Sequence, residues 1–198
     1  RITAVDCNFK KLGFDPFEFL NNNDTIIKGF IFNSYSPGGS QRMYFSSQNA
    51  GRIDYFRAKI EEWKILNLID TNEYSYLLAS LIESISYVSN TAGVYGAFLK
   101  HWDARSKKDI IFQRVGVKHT KCLDVKYYNN KIENIIEKIE CDILYLDPPY
   151  TQNQYGTQYH LLETLILNDN PPISAITGSR PTSPMRSEWS KNYKTHIL

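Results

Sequence analysis

Four consecutive residues, Asp147-Pro148-Pro149-Tyr150, follow the apolar run Ile143-Leu144-Tyr145-Leu146. Adjacent prolines fix φ and supply no N–H, so the backbone must leave a strand in a stiff arc whose carbonyls have no ladder partner. A carboxylate at the start of that arc and a phenol ring at its end would grip a planar group bearing an exocyclic amine. Acceptors would meet its edge and the ring its face. Adenine fits that description. An ordinary strand-to-turn exit also uses Pro-Pro, and the complete four-residue string behind an apolar run favours the catalytic reading.

These residues resemble the DPPY motif of N6-adenine DNA methyltransferases, in the Dam-like arrangement where target recognition precedes the catalytic motif. The stretch Asn90-Thr91-Ala92-Gly93-Val94-Tyr95-Gly96-Ala97-Phe98-Leu99-Lys100 is similar to such modification methylases. So are Gln154-Tyr155-Gly156 and Gln158-Tyr159-His160, and the resemblance runs from about Phe30 to the end of the chain. Related enzymes that methylate protein glutamine carry Asn-Pro-Pro-Tyr, and Asp147 suits a nucleobase better.

The resemblance implies a specific chemistry. Adenine N6 is a poor nucleophile because its lone pair is delocalised into the ring. Acceptors for both N6 hydrogens, the Asp147 carboxylate and the Pro148 carbonyl, would favour the reactive geometry and stabilise the positive charge that grows on nitrogen. The methyl donor implied is S-adenosylmethionine, and in-line placement of nitrogen, carbon and sulfur supplies several kcal/mol. The base must leave the duplex, with Tyr150 as the platform replacing lost stacking. Pro148 and Pro149 shape the catalytic loop. Asp147 and Asp124 are the cofactor-binding candidates, Asp124 because the family has an acid at the end of the preceding strand; a helix N-cap is the competing role. His160 as a general base is the weaker reading, since a lone histidine beside a helix is more often structural.

The elements that must position these residues follow from periodicity. Thr25–Phe32 reads as a strand or strand-like entry, and Ser36–Ser40 as a loop. Ile53, Phe56, Ile60 and Trp63 recur at helical spacing, as do Tyr74, Leu77, Leu78, Leu81, Ile82, Ile85 and Val88. Two amphipathic helices are expected, with their stripes in a core. Gly93 and Gly96 favour a shaped loop over 90–100, with Tyr95 and Phe98 either touching DNA or packing beneath it. Ile110–Val115 and Lys118–Leu123 read as strands, Ile132, Ile135, Ile136 and Ile139 as one face of a helix, Asp142–Leu146 as the central strand, and Tyr159–Leu167 as a helix. This order predicts an α/β fold: a Rossmann-like methyltransferase sheet with an inserted helical DNA-recognition lobe. The divisions are 1–33, a remnant of the cofactor-binding part; 34–108, the target-recognition lobe; and 109–198, the catalytic part.

The opening of the chain departs from the family pattern. A nucleotide cofactor in such a sheet rests on a glycine-containing turn after the first strand. Phe9–Phe14 reads as the helix that follows this motif, and the glycine motif itself is missing; Asp15–Phe19 is no convincing second strand.

The 198 residues, 42% hydrophobic, suffice for one substantial core. Neither an apolar run of about 18 residues nor a secretory leader is present, so a cytoplasmic protein without a membrane partner is expected. Cys7, Cys122 and Cys141 lack metal-ligand spacing, and Cys122 and Cys141 sit beside apolar runs that suit packed thiols; no disulfide and no metal are expected. A net charge of +2 does not by itself argue for nucleic acid. Local clusters do more. Lys100, His101, Arg105, Lys107 and Lys108 crowd one segment, and Arg180, Arg186, Lys191 and Lys194 crowd the tail. With Asn90 and Tyr95, the residues Lys100, Arg105, Lys107, Arg180 and Arg186 are the DNA-binding candidates. Double-stranded DNA and a cognate restriction endonuclease system are the implied partners. Two other readings remain: a non-catalytic DNA-binding fragment or partner with the methyltransferase fold, and an RNA methyltransferase.

Overall fold

A computed structural model describes residues 7–116, 126–130, 134–145, 147 and 155–181. Its elements are α1 (Pro16–Asn21), α2 (Phe30–Tyr35), α3 (Ser47–Ile65), α4 (Thr71–Ser86), α5 (Tyr155–Gln158) and α6 (His160–Leu167), with 3-10 turns at Arg105–Lys107 and Ile136–Lys138. Helices α3 and α4 are the two predicted from periodicity. Each starts at a side-chain cap: Ser46 accepts from the Asn49 N–H at 3.1 Å, and Asp70 forms a reciprocal capping box with Glu73. Glu73 also accepts from the Phe9 N–H at 2.7 Å, which fastens the opening turn to α4.

Helix α3 organises the rest. Its apolar positions Ile53, Phe56 and Ile60 are fully buried, against Leu77, Leu81 and Ile85 of α4. Three charged residues of α3 are buried as well, and each meets a helix terminus. Arg52 donates to the Leu20 carbonyl at the end of α1, at 2.7 Å. Asp54 accepts from the Ile31 and Phe32 N–H groups that begin α2, at 3.0 and 2.8 Å. Arg57 donates to the Leu165 carbonyl near the end of α6 at 2.9 Å, and also to Glu61 at 2.7 Å. Helix ends leave N–H and C=O groups without intrahelical partners, so a buried anion at an N-terminus and buried cations at C-termini satisfy charge and backbone together.

The predicted α/β sheet is not what forms: the described residues contain no β-strand. Ile110–Val115, expected as a strand, forms none: side chains rather than a neighbouring strand take its backbone groups. Asn49 Oδ1 accepts from the Ile110 N–H, Asn21 both accepts from and donates to the Phe112 backbone, and Ser84 and Ser80 hydroxyls accept from the Gln113 and Val115 N–H groups. The β-branched run buries Ile110 and Phe112, with Phe112 stacked on Phe17 at 4.9 Å, without any ladder. Ile143, Leu144 and Tyr145 are exposed and make no ladder either, because no described strand lies beside them.

Other local readings change too. Thr25–Phe32 is not a strand: α2 begins at Phe30, where Asp54 supplies the cap that Gly29 lacks. Phe9–Phe14 is a turn rather than a helix, with Phe9 and Gly13 at φ 51° and 72°. Asp15 caps a short helix with Pro16 in its first turn. Cys141 is exposed rather than packed, and Ile136–Lys138 is one 3-10 turn. The Lys118–Leu123 expectation and Ile132 lie outside the described residues. No described helix is long and apolar enough to cross a membrane.

Candidate active site

The loop over 90–106 is built around Asn90, which is fully buried. Its backbone N–H donates to the Tyr44 carbonyl, its side-chain amide donates to the Leu99 carbonyl, and its Oδ1 accepts from the Asp103 N–H at 3.0 Å. Arg105 closes the loop by donating to the Thr91 carbonyl. These three bonds on Asn90, with the Arg105 closure, explain why a glycine-containing segment holds one shape. Gly93, at φ 104° with open space where a side chain would stand, supplies the left-handed step the turn requires.

This loop is joined to the segment that follows the Asp-Pro-Pro-Tyr string. The Tyr95 N–H donates to the Gln158 carbonyl at 2.6 Å, and a methyl group on Gly96 would stand 2.8 Å from Gln158 Oε1. Three residues before Gln158, the Tyr155 hydroxyl donates to the Asp147 carbonyl at 2.9 Å. Asp147 is exposed, and the Tyr155 and Tyr159 rings stand 6.3 Å apart. Desolvation, followed by the Asp147 charge and the neighbouring phenols, raises the Tyr155 pKa, so the phenol keeps its proton and remains a donor. A cleft of about 670 Å³ runs between the C-terminal end of α4 and the loop, with Thr91, Gly93, Arg105, Lys108 and Tyr159 on its walls.

Beneath the loop lies an aromatic cluster. Tyr44 is fully buried, its hydroxyl between the Tyr95 and Thr177 carbonyls at 3.0 and 2.9 Å. His160 is also fully buried, its ring 6.0 Å from those of both Tyr35 and Tyr44. Burial pushes its pKa down to about 4, so the imidazole is neutral. The Tyr95 carbonyl leans toward the ring and opposes that shift, yet neither ring nitrogen completes a hydrogen bond of good geometry. Sealed from solvent, His160 packs the loop against α6.

The predicted site residues are therefore dispersed. Asn90 and Tyr95 turn inward, Tyr95 only 5% exposed, and both shape the loop rather than present side chains to solvent. Lys100, Arg105 and Lys107 are exposed on one connected segment. Arg180 is engaged with Asp169 through both guanidinium nitrogens, at 2.6 and 3.2 Å. Asp124, Pro148, Pro149, Tyr150 and Arg186 lie outside the described residues. Sequence reasoning missed the hydroxyl of Tyr155 and the carbonyl of Gln158 as tethers; the repeated Gln-Tyr pair, Gln154-Tyr155 and Gln158-Tyr159, after the catalytic string was the available signal. Among the described residues, no group of three or more His, Cys, Asp or Glu side chains is placed to hold a metal ion.

The family description "D12 class N6 adenine-specific DNA methyltransferase" matches residues 8–197. The chain belongs to this family. Among its relatives, type II methyltransferase M.FokI of Planomicrobium okeanokoites is 43% identical over 176 residues, covering 87% of this chain and 27% of that protein. Modification methylase StsI of Streptococcus sanguinis is 40% identical over 185 residues, covering 92% of this chain and 28% of the relative. Type II methyltransferase M.NlaIII of Neisseria lactamica is 41% identical over 162 residues, covering 79% and 47%. The chain thus spans between about a quarter and a half of the length of these curated relatives. No solved structure matches it. The N6-adenine DNA methyltransferase class expected from the sequence is thereby shown, and the joining of Asp147 to the 90–100 loop through α5 is what the structure adds.

Proposed function

We propose that the protein transfers a methyl group from S-adenosylmethionine to adenine N6 in double-stranded DNA, in a restriction-modification setting, with the Dam-like order of target recognition before the catalytic string. The observation that carries this reading is the tether between the Tyr155 hydroxyl and the Asp147 carbonyl, which holds the acid of the string beside the loop expected to meet the target. Family membership and the modification methylases among its relatives support it.

In this reading the exposed Asp147 carboxylate and the Pro148 carbonyl accept the two N6 hydrogens, so the lone pair is freed as positive charge grows on nitrogen. Tyr150 stacks on the extruded base, at about 1 to 3 kcal/mol, against the few kcal/mol that extrusion costs. Lys100, Arg105 and Lys107 meet phosphates. Asp147 and Asp124 would hold the cofactor, which supplies the methyl group when bound. An exposed carboxylate whose backbone carbonyl is held by the Tyr155 hydroxyl suits a cationic sulfonium nucleoside by charge. Residues 1–33 are proposed to belong to the cofactor part, 34–108 to the target-recognition part and 109–198 to the catalytic part.

The test is labelled methyl transfer to matched DNA and RNA duplexes. Label in N6-methyladenine of DNA, lost in Asp147→Ala, is the expected result. Label in RNA alone, or none with the cofactor shown to bind, overturns the proposal.

A further inference from the structure

Between the two halves of the site runs a single turn of helix. At one end of α5 the Tyr155 hydroxyl donates to the Asp147 carbonyl at 2.9 Å. At the other end the Gln158 carbonyl accepts from the Tyr95 N–H at 2.6 Å, and its side chain lies where a Cβ on Gly96 would stand. The next residues, Tyr159 and His160, continue into α6, whose end is held on α3 by Arg57. Helix α5 is therefore anchored on the core side and contacts the target loop and the acid of the catalytic string with groups three residues apart, on one face of the turn.

We propose that Tyr155 is a positioning residue, and that with Gln158 it makes α5 a mechanical link through which the 90–100 loop sets the backbone of Asp147. The proposal rests on the methyltransferase reading and adds to it how target engagement reaches the acceptor carboxylate. A shift of the Tyr95 backbone carries Gln158 with it through a short hydrogen bond, and Tyr155 moves as part of the same turn. The Tyr155 hydroxyl then pulls on the carbonyl of the residue whose carboxylate must meet N6. The geometry needs no change in α3 or α4, because the link lies outside their packed face. Catalysis depends on such placement: acceptors displaced by about 1 Å lose much of their effect on the transition state.

The experiment compares wild type with Tyr155→Phe, which deletes one hydroxyl and leaves the ring. The backbone ¹³C′ resonance of Asp147, whose carbonyl accepts from Tyr155, is followed together with amide hydrogen exchange at Tyr95, whose N–H is the donor to Gln158. The link predicts that loss of the hydroxyl moves the Asp147 ¹³C′ resonance upfield and speeds exchange at Tyr95 by about three- to tenfold. A moved Asp147 resonance with Tyr95 exchange unchanged shows a local tether and overturns the link; no change at either place overturns the positioning role. Steady-state methylation supplies the second readout: kcat falls about tenfold while KM for DNA stays within about twofold. Loss of DNA affinity with kcat kept contradicts the positioning role. Should wild type transfer no methyl group, the activity reading fails, and the resonance and exchange arms still decide the link. Gln158→Ala keeps the backbone carbonyl and is expected to leave the Asp147 ¹³C′ resonance unchanged; a moved resonance there overturns the carbonyl's part in the link.

Discussion

Asp54 and Arg57 stand three residues apart on α3 and serve helix ends of opposite polarity. The carboxylate takes the N–H groups that begin α2, and the guanidinium takes carbonyls that end α6. One helix thereby orients two others, one of which leads out of the candidate site. Gly29 allows this approach, since a Cβ there would stand 2.7 Å from Asp54 Cγ. Gly29→Ala is expected to cost about 1 to 3 kcal/mol of unfolding free energy in urea titrations, the usual range for overpacking. Wild-type stability in that variant would remove the cap from the account.

The pH dependence of stability separates two buried groups. Burial pushes the Asp54 carboxyl up from 3.8 to about 6, against the pull of its backbone hydrogen bonds. Its folded pKa lies above the unfolded one, so its contribution is fullest below about pH 4 and declines as pH rises through 6. His160 runs the other way: burial lowers it from 6.5 to about 4, so its contribution is complete above 6.5 and is lost as pH falls toward 4. Each shift corresponds to about 3 kcal/mol at most. The two slopes oppose each other between pH 4 and 6, and wild-type stability is expected to be nearly flat there. Denaturation of His160→Gln across this range should show stability falling with rising pH, and Asp54→Asn should show it rising. Parallel profiles in the two variants contradict the assignment.

Arg57 tests whether a fork is needed rather than a charge. It bonds the Leu165 carbonyl, Glu61 and the Tyr74 hydroxyl while 4% exposed. A lysine keeps the charge but cannot span these acceptors. Arg57→Lys is expected to lower stability by about 1 to 3 kcal/mol. A midpoint unchanged in thermal unfolding would show that the ammonium suffices.

Asp147 separates chemistry from folding. It is exposed, so Asp147→Ala should leave unfolding free energy within about 0.5 kcal/mol of wild type. Methyl transfer should drop by about 100-fold or more, the scale for one removed transition-state acceptor. Persistent turnover contradicts the role of the carboxylate.

Salt dependence of DNA binding sorts the basic residues. Lys100 and Lys107 are exposed, and each alanine variant should reduce the slope of log K against log salt by about 1. Arg180 already holds Asp169 through two nitrogens, so Arg180→Ala should leave the slope unchanged. A reduced slope there would place Arg180 on phosphate instead.

Local pattern sufficed for several elements and for the chemistry. The 3.6-residue stripes of α3 and α4, the glycine-shaped loop over 90–100 and the Asp-Pro-Pro-Tyr string were all legible, because periodicity, glycine freedom and proline geometry act within a few residues. Tertiary structure decided what those elements do together. Ile110–Val115 has the composition of a strand, yet strand pairing needs a neighbour, and Asn21, Asn49, Ser80 and Ser84 from distant positions took its hydrogen bonds instead. Likewise Asn90 and Tyr95 sit in a DNA-facing stretch by sequence but turn into the loop's own framework, and Arg180 meets Asp169. The partners of Arg52, Asp54 and Arg57 are the ends of α1, α2 and α6, which only the fold brings beside α3. Composition names the donors and acceptors of a chain; which of them meet is settled only when packing excludes water and every buried polar group must find a partner.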